Sequence, residues 1–104
     1  MDNRDLYAGL VRLHILYHAS EGEIFGLWII EELARHGYRL SPGTLYPVLH
    51  SLERRGLLRS SDHWESGRRR RLYKITPAGR RALAAAKDKV RELFAELFEE
   101  EGHA

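Results

Sequence analysis

The sequence predicts a mainly α fold with one small β-hairpin: three helices, a basic hairpin and a long final helix. Three observations carry this. Apolar residues recur at three- and four-residue steps over most of the chain. Two pairs, Ser41-Pro42 and Thr76-Pro77, have the chemistry of helix starts. Between them lie two short strand candidates split by turn residues. The 104 residues amount to one domain.

Taken in order, a first helix over 5–19 carries Leu6, Leu10, Leu13 and Tyr17 on one stripe, and Ile15 and Leu16 widen its apolar content. A second helix over 24–36 repeats Phe25, Trp28, Ile29 and Leu33, and Gly37 ends it. Trp28 is expected in the core. Ser41 caps a third helix with Pro42 at its first position. Leu45, Val48, Leu49 and Leu52 form its buried stripe, and Gly43, Pro47, His50 and Arg54 lie opposite, with Tyr46 on the flank. Pro47 removes the bond back to Gly43, so a local distortion is expected. Strands over 57–61 and 70–75 flank turn chemistry at 62–67. The last helix, 77–100, steps Leu83, Ala86, Val90, Leu93 and Leu97 as a heptad seam broadened by Phe94 and Phe98. Its acidic end, Glu99 to Glu101, opposes the helix dipole and is expected to fray.

Composition removes several classes of function. With no cysteine there is no disulfide scaffold, thiolate metal site or cysteine nucleophile. No apolar run approaches the roughly 18–20 residues of a membrane span, and the start Met1-Asp-Asn-Arg-Asp5 is no secretory signal. The expectation is a cytoplasmic protein with no membrane partner. No nucleophile elbow, paired carboxylates or phosphate-cradling glycine loop frames the polar residues, so an enzyme is not expected.

The formal net charge of +2 conceals segregation. Residues 39–81 hold eleven basic and three acidic side chains, a local +8, while the remainder sums to −6. Such a face suits a polyanion. Helices two and three, joined by a short turn, have the arrangement of a helix-turn-helix, whose second helix enters the DNA major groove. Ser41, Gly43 and Thr44 leave that helix start open to phosphate. Tyr46, Pro47, His50 and Arg54 line its outward side. Tyr46 either packs beside Leu49 or reaches a base, and His50 is either a solvated surface residue or a DNA contact. Arg68, Arg69, Arg70 and Arg71 would make the hairpin a wing lying in an adjacent minor groove. Strand alternation puts Arg69 and Arg71 on one face and Arg68 and Arg70 on the other, so at most two reach DNA together. Tyr73 and Ile75 share the face of Arg71.

The run SPGTLYPVLHSLERRGLL at 41–58 resembles the recognition-helix segment of the PadR family of bacterial transcription regulators, and GRRRRLYKITPAG at 67–79 resembles that family's wing and following helix start. The resemblance covers roughly residues 6–98. It implies a winged helix-turn-helix at 1–75 and a C-terminal dimerisation helix at 76–104, as in the short, single-helix members. It further implies a homodimeric repressor of a palindromic operator in double-stranded DNA, with half-sites roughly 34–36 Å apart, released by a small effector. The dimer contacts would be Leu83, Ala86, Val90, Leu93, Phe94, Leu97 and Phe98. Where family members often carry Gly-Tyr-Glu-Ile this chain has Gly26-Leu-Trp-Ile29. The dimerisation helix lacks the tryptophan that would favour a flat aromatic effector.

No bound cofactor is expected, but a divalent metal effector stays open. His14 and His18, four apart on one helix, share a face and offer two ligands of an incomplete site. The plainer reading is two histidines filling a half-buried helical face. Trp64 receives no role. A winged-helix protein–protein interaction module is the alternative from another class.

Overall fold

The computed structural model describes residues 3–99, with elements α1 (Arg4–Glu21), β1 (Ile24–Phe25), α2 (Gly26–Arg35), α3 (Pro42–Arg54), β2 (Leu58–Glu65), β3 (Arg68–Ile75) and α4 (Pro77–Phe94). A π-helical turn, Ala95–Glu99, continues α4 where an unbroken α-helix to residue 100 is expected. Glu100 and Glu101 of the acidic end lie outside the described residues.

The expected helix over 24–36 begins too early. Ile24 and Phe25 are extended and pair antiparallel with Tyr73 and Leu72 of β3, making a three-stranded sheet in the order β1-β3-β2. Two residues are too few for periodicity to register, and the free edge of β3 is what draws them into a strand. The hairpin is also longer than the alternation suggests. Asp62, His63, Trp64 and Glu65 belong to β2, and only Ser66 and Gly67 turn the chain. Both have positive φ, 53° and 76°, which is the type I′ geometry that matches the twist of the two strands.

Helix ends follow the expected chemistry with one exception. Past α2 and α3 the chain closes in the same way. Gly37 and Gly56 take left-handed φ and donate to Ala34 and Glu53, while Tyr38 and Leu57 reach back to Leu33 and Leu52. Thr76 caps α4 by accepting from the Gly79 N–H at 2.9 Å, and it donates to the Gly56 carbonyl at 2.6 Å. Ser41 is the exception. Its hydroxyl makes no cap bond and turns to Thr44 Oγ1 at 3.3 Å, leaving the cap to its own carbonyl. Helix α3 runs through Pro47 without a break.

The core forms where α1, α2 and α3 meet the sheet. Ile15, Ile29, Leu33, Leu45, Leu49 and Tyr73 are fully buried, and Leu83 brings the start of α4 into the same cluster. Gly79 sets that junction: a Cβ there would run into the Leu57 carbonyl and lie 2.7 Å from Ile75 Cγ1. The Tyr73 hydroxyl is buried without a well-formed hydrogen bond, and burial raises its pKa against the opposing charge of Arg71.

Two expectations about the core are corrected. The stripe Leu6, Leu10 and Tyr17 of α1 is exposed, Leu6 by 71%, and α1 buries Val11, Ile15, Leu16 and Ala19 on nearly the opposite side. With apolar residues on both sides, periodicity alone does not choose the face. Trp28 is 44% exposed rather than buried, with its ring edge-on to His18 at 5.4 Å, because Ile29 and Leu33 already fill the inward side of α2.

Candidate nucleic-acid interface

The outward side of α3 is as the helical count requires. Leu45, Leu49 and Leu52 are buried, Val48 packs on the core, and Ser41, Gly43, Pro47, His50 and Arg54 are exposed. Thr44 is half-buried. Tyr46 packs with the core over Gly26, where a Cβ would lie 2.7 Å from the Tyr46 ring carbon Cζ. The ring thus fills the space that the absent side chain leaves, and Leu27 and Trp28 beside it are exposed.

Sheet register sorts the arginines. Asp62 lies opposite Arg71 and Trp64 opposite Arg69, so these four share one face with Ser60 and Tyr73. Asp62 Oδ1 stands 3.2 Å from Arg69 Nε and 3.7 Å from Arg71 Nε. Arg70 takes the other face, paired with Glu65 at 3.2 Å and lying over the Phe25 ring at 4.0 Å, while Arg68 makes no ion pair among the described residues. Exposed pairs of this kind are weak, so an incoming phosphate can replace them. An open cleft of about 470 Å³ separates the wing from the start of α2, with Tyr46 on one side and Arg69 and Arg71 on the other. Trp64, 68% exposed beside Arg69, joins this face. Its placement depends on where β2 ends, which the turn-forming composition of residues 62–67 obscures.

Glu53 ties α3 to the wing. Its Oε2 accepts from the Ser60 hydroxyl at 2.6 Å and the Ser60 N–H at 3.0 Å. The Ser60 bonds hold this carboxyl below the usual range, burial working against them. The folded state therefore favours the charged form. The stabilisation is complete above the ordinary glutamate pKa of about 4.3 and is lost as pH falls through the lower folded value. In Glu53→Gln the melting temperature should fall less steeply with acid below about pH 4.5 than in the parent. Parallel acid limbs in the two melting series would show that Glu53 is no such clamp.

The seam of the last helix divides. Leu83 is spent in the core of its own chain and Ala86 is half-buried, whereas Val90, Leu93, Phe94, Leu97 and Phe98 are exposed. Val90 and Leu93 meet the outward stripe of α1 across an open groove of about 650 Å³, lined also by Leu6 and Leu10, and Phe94, Leu97 and Phe98 extend the exposed apolar side of the last helix. Monomeric proteins rarely leave so much contiguous apolar surface uncovered.

His14 and His18 share a face of α1, and the structure brings His36, which follows α2, against them. Glu32 lies 3.8 Å from His18 Nε2 and 3.6 Å from His36 Nε2. Burial lowers the pKa of His14, the charges of His36 and His18 add to this, and Glu32 opposes. His36 and Glu32 are missed from the sequence because packing of α2 on α1, rather than spacing, unites them with His14 and His18.

Among the described residues no helix is long and apolar enough to cross a membrane. The profile of the transcriptional regulator PadR-like family matches residues 15–85. The chain is 50% identical over 100 residues to transcriptional regulator Rv3488 of Mycobacterium tuberculosis, covering 96% of this chain and 94% of that protein. It resembles the crystal structure of a PadR family transcriptional regulator from Eggerthella lenta, with TM-score 0.80, 27% identity and coverage of 91% and 84% of the two chains. A PadR-like transcriptional regulator, BC4206 of Bacillus cereus, superposes with TM-score 0.81 at 26% identity, covering 89% and 92%.

Proposed function

The chain belongs to the PadR-like family of transcriptional regulators, and we propose that it is a cytoplasmic, homodimeric repressor that binds a palindromic operator and leaves it when an effector binds. Family membership makes it a regulator and not an enzyme. In this reading residues 1–75 bind DNA and residues 76–104 hold the dimer. The observation that carries it is the shared cleft: Tyr46 of α3 and the wing arginines line the same space. A duplex there would meet Ser41, Gly43 and Thr44 at phosphate, and Pro47, His50 and Arg54 at base edges or phosphate. Arg69 and Arg71 would enter the neighbouring minor groove, while Arg70, held by Glu65 and the Phe25 ring, and Arg68 lie on the opposite face of the wing. Tyr46, held over Gly26, would support the helix and offer its hydroxyl at the rim.

The apolar surface of α1 and α4 supports the homodimer. A second copy related by two-fold symmetry covers the exposed seam of both chains at once. The test is fluorescence anisotropy with duplex DNA from upstream of the protein's own gene. For six to ten phosphate contacts, affinity should fall about 10³–10⁵-fold between 50 and 200 mM salt. Affinity indifferent to salt would point instead to an interaction module that uses the winged-helix shape for protein partners.

A further inference from the structure

Beyond the DNA-binding face, two helices present matched pairs of metal-ligating side chains to each other. Helix α1 supplies His14 and His18 and helix α2 with its cap supplies Glu32 and His36, each pair four residues apart and so on one helical face. One ligand atom from each of the three histidines lies within 4.8 Å of the others. We infer that His14, His18, His36 and Glu32 form a four-coordinate site for a divalent cation of the zinc class.

The donor set selects the ion. Three imidazoles and one carboxylate suit Zn²⁺, Co²⁺ or Ni²⁺, whereas Ca²⁺ and Mg²⁺ require mostly oxygen ligands. Zn–N and Zn–O bonds of about 2.0–2.2 Å in tetrahedral geometry put ligand atoms about 3.3–3.5 Å apart. Glu32 Oε1 is already 3.6 and 3.8 Å from its two histidine neighbours. The stacked His14 and His36 rings, 4.5 Å between centroids, need only side-chain rotation to converge. Tyr38 beside His14, and Tyr17 and Trp28 beside His18, flank the ligands with aromatic rings. A carboxylate serving only as an ion-pair partner for one histidine would leave the convergence of all three unexplained.

The site sits where it can act on DNA binding. His36 closes α2, and the chain then runs through Gly37 and Tyr38 to the cap of α3 at Ser41. A bound ion would pin α1 to the turn that sets the direction of α3. This second step rests on the DNA-binding reading above; the site itself does not.

The test is calorimetric titration of the full, chelator-stripped protein with Zn²⁺, beside His14→Ala, His36→Ala and Glu32→Gln. One ion per chain should bind in the wild type. Either histidine change should weaken binding about 100-fold or more, and Glu32→Gln about tenfold. His36 is exposed, so His36→Ala should keep the native circular dichroism spectrum. In a Trp64→Phe background Trp28 is the sole tryptophan, and Co²⁺, whose visible absorption reports coordination number, should quench its emission. Equal Zn²⁺ affinity of the wild type and the double variant His14→Ala/His36→Ala would overturn the site, as would unaltered Trp28 emission at saturating Co²⁺. With upstream DNA, Zn²⁺ should shift wild-type affinity at least about fivefold and leave His36→Ala unmoved. Zinc binding with DNA affinity unchanged would overturn the coupling, and zinc binding by a protein that ignores DNA would overturn the DNA reading while the site stands.

Discussion

Leu93→Glu combined with Leu97→Glu should give a folded monomer whose operator affinity drops to that of a single half-site. Both side chains are exposed in the protomer, so the fold does not depend on them. In a two-fold interface each substitution counts twice. Carboxylates desolvated without partners cost several kcal/mol. About 5 kcal/mol in total would raise the Kd of a nanomolar dimer by more than three decades. Sedimentation equilibrium measures this directly. A double variant that dimerises as tightly as the parent would remove the C-terminal seam from the interface.

Arg69→Ala with Arg71→Ala should weaken binding to every duplex by about tenfold or more for each lost charged contact. It should also reduce the slope of log affinity against log salt by about two. Both arginines are exposed and share Asp62, so thermal stability should barely move. The loss exceeds what the deleted charges supply, because Asp62 is then left facing phosphate without a cation. Replacement of both by lysine should restore much of the salt slope, since charge is retained, but less of the affinity, since the planar guanidinium fork is gone. Salt slopes that coincide for the parent and the alanine variant would take the wing off the DNA.

Much of this is legible in the sequence. The face of α3 follows from four leucine and valine positions at helical spacing, and both its start at Pro42 and the cap at Thr76 follow from Ser/Thr-Pro chemistry. Strand alternation separated Arg69 and Arg71 from Arg70, and their ion pairs respect that division. The differences between sequence pattern and fold share a physical cause. Strand β1, the length of β2 and the burial of Val11 rather than Leu10 all depend on which neighbour an ambiguous segment meets. Ser41 illustrates the same point at one residue: composition names a cap, but local geometry sends the hydroxyl to Thr44.

By itself, then, the sequence determined the helical order, the basic face, the outward residues of α3 and the heptad spacing of the last helix. These are set by local propensity and by periods of 3.6 and 2 residues, which act within one element. Only the tertiary structure decided that α1 faces the core with its other side, that Trp28 stays outside, and that His36 and Glu32 join His14 and His18. Such choices are settled by packing between elements distant in the chain, where the competing faces are almost equally apolar and the complementary partner breaks the tie.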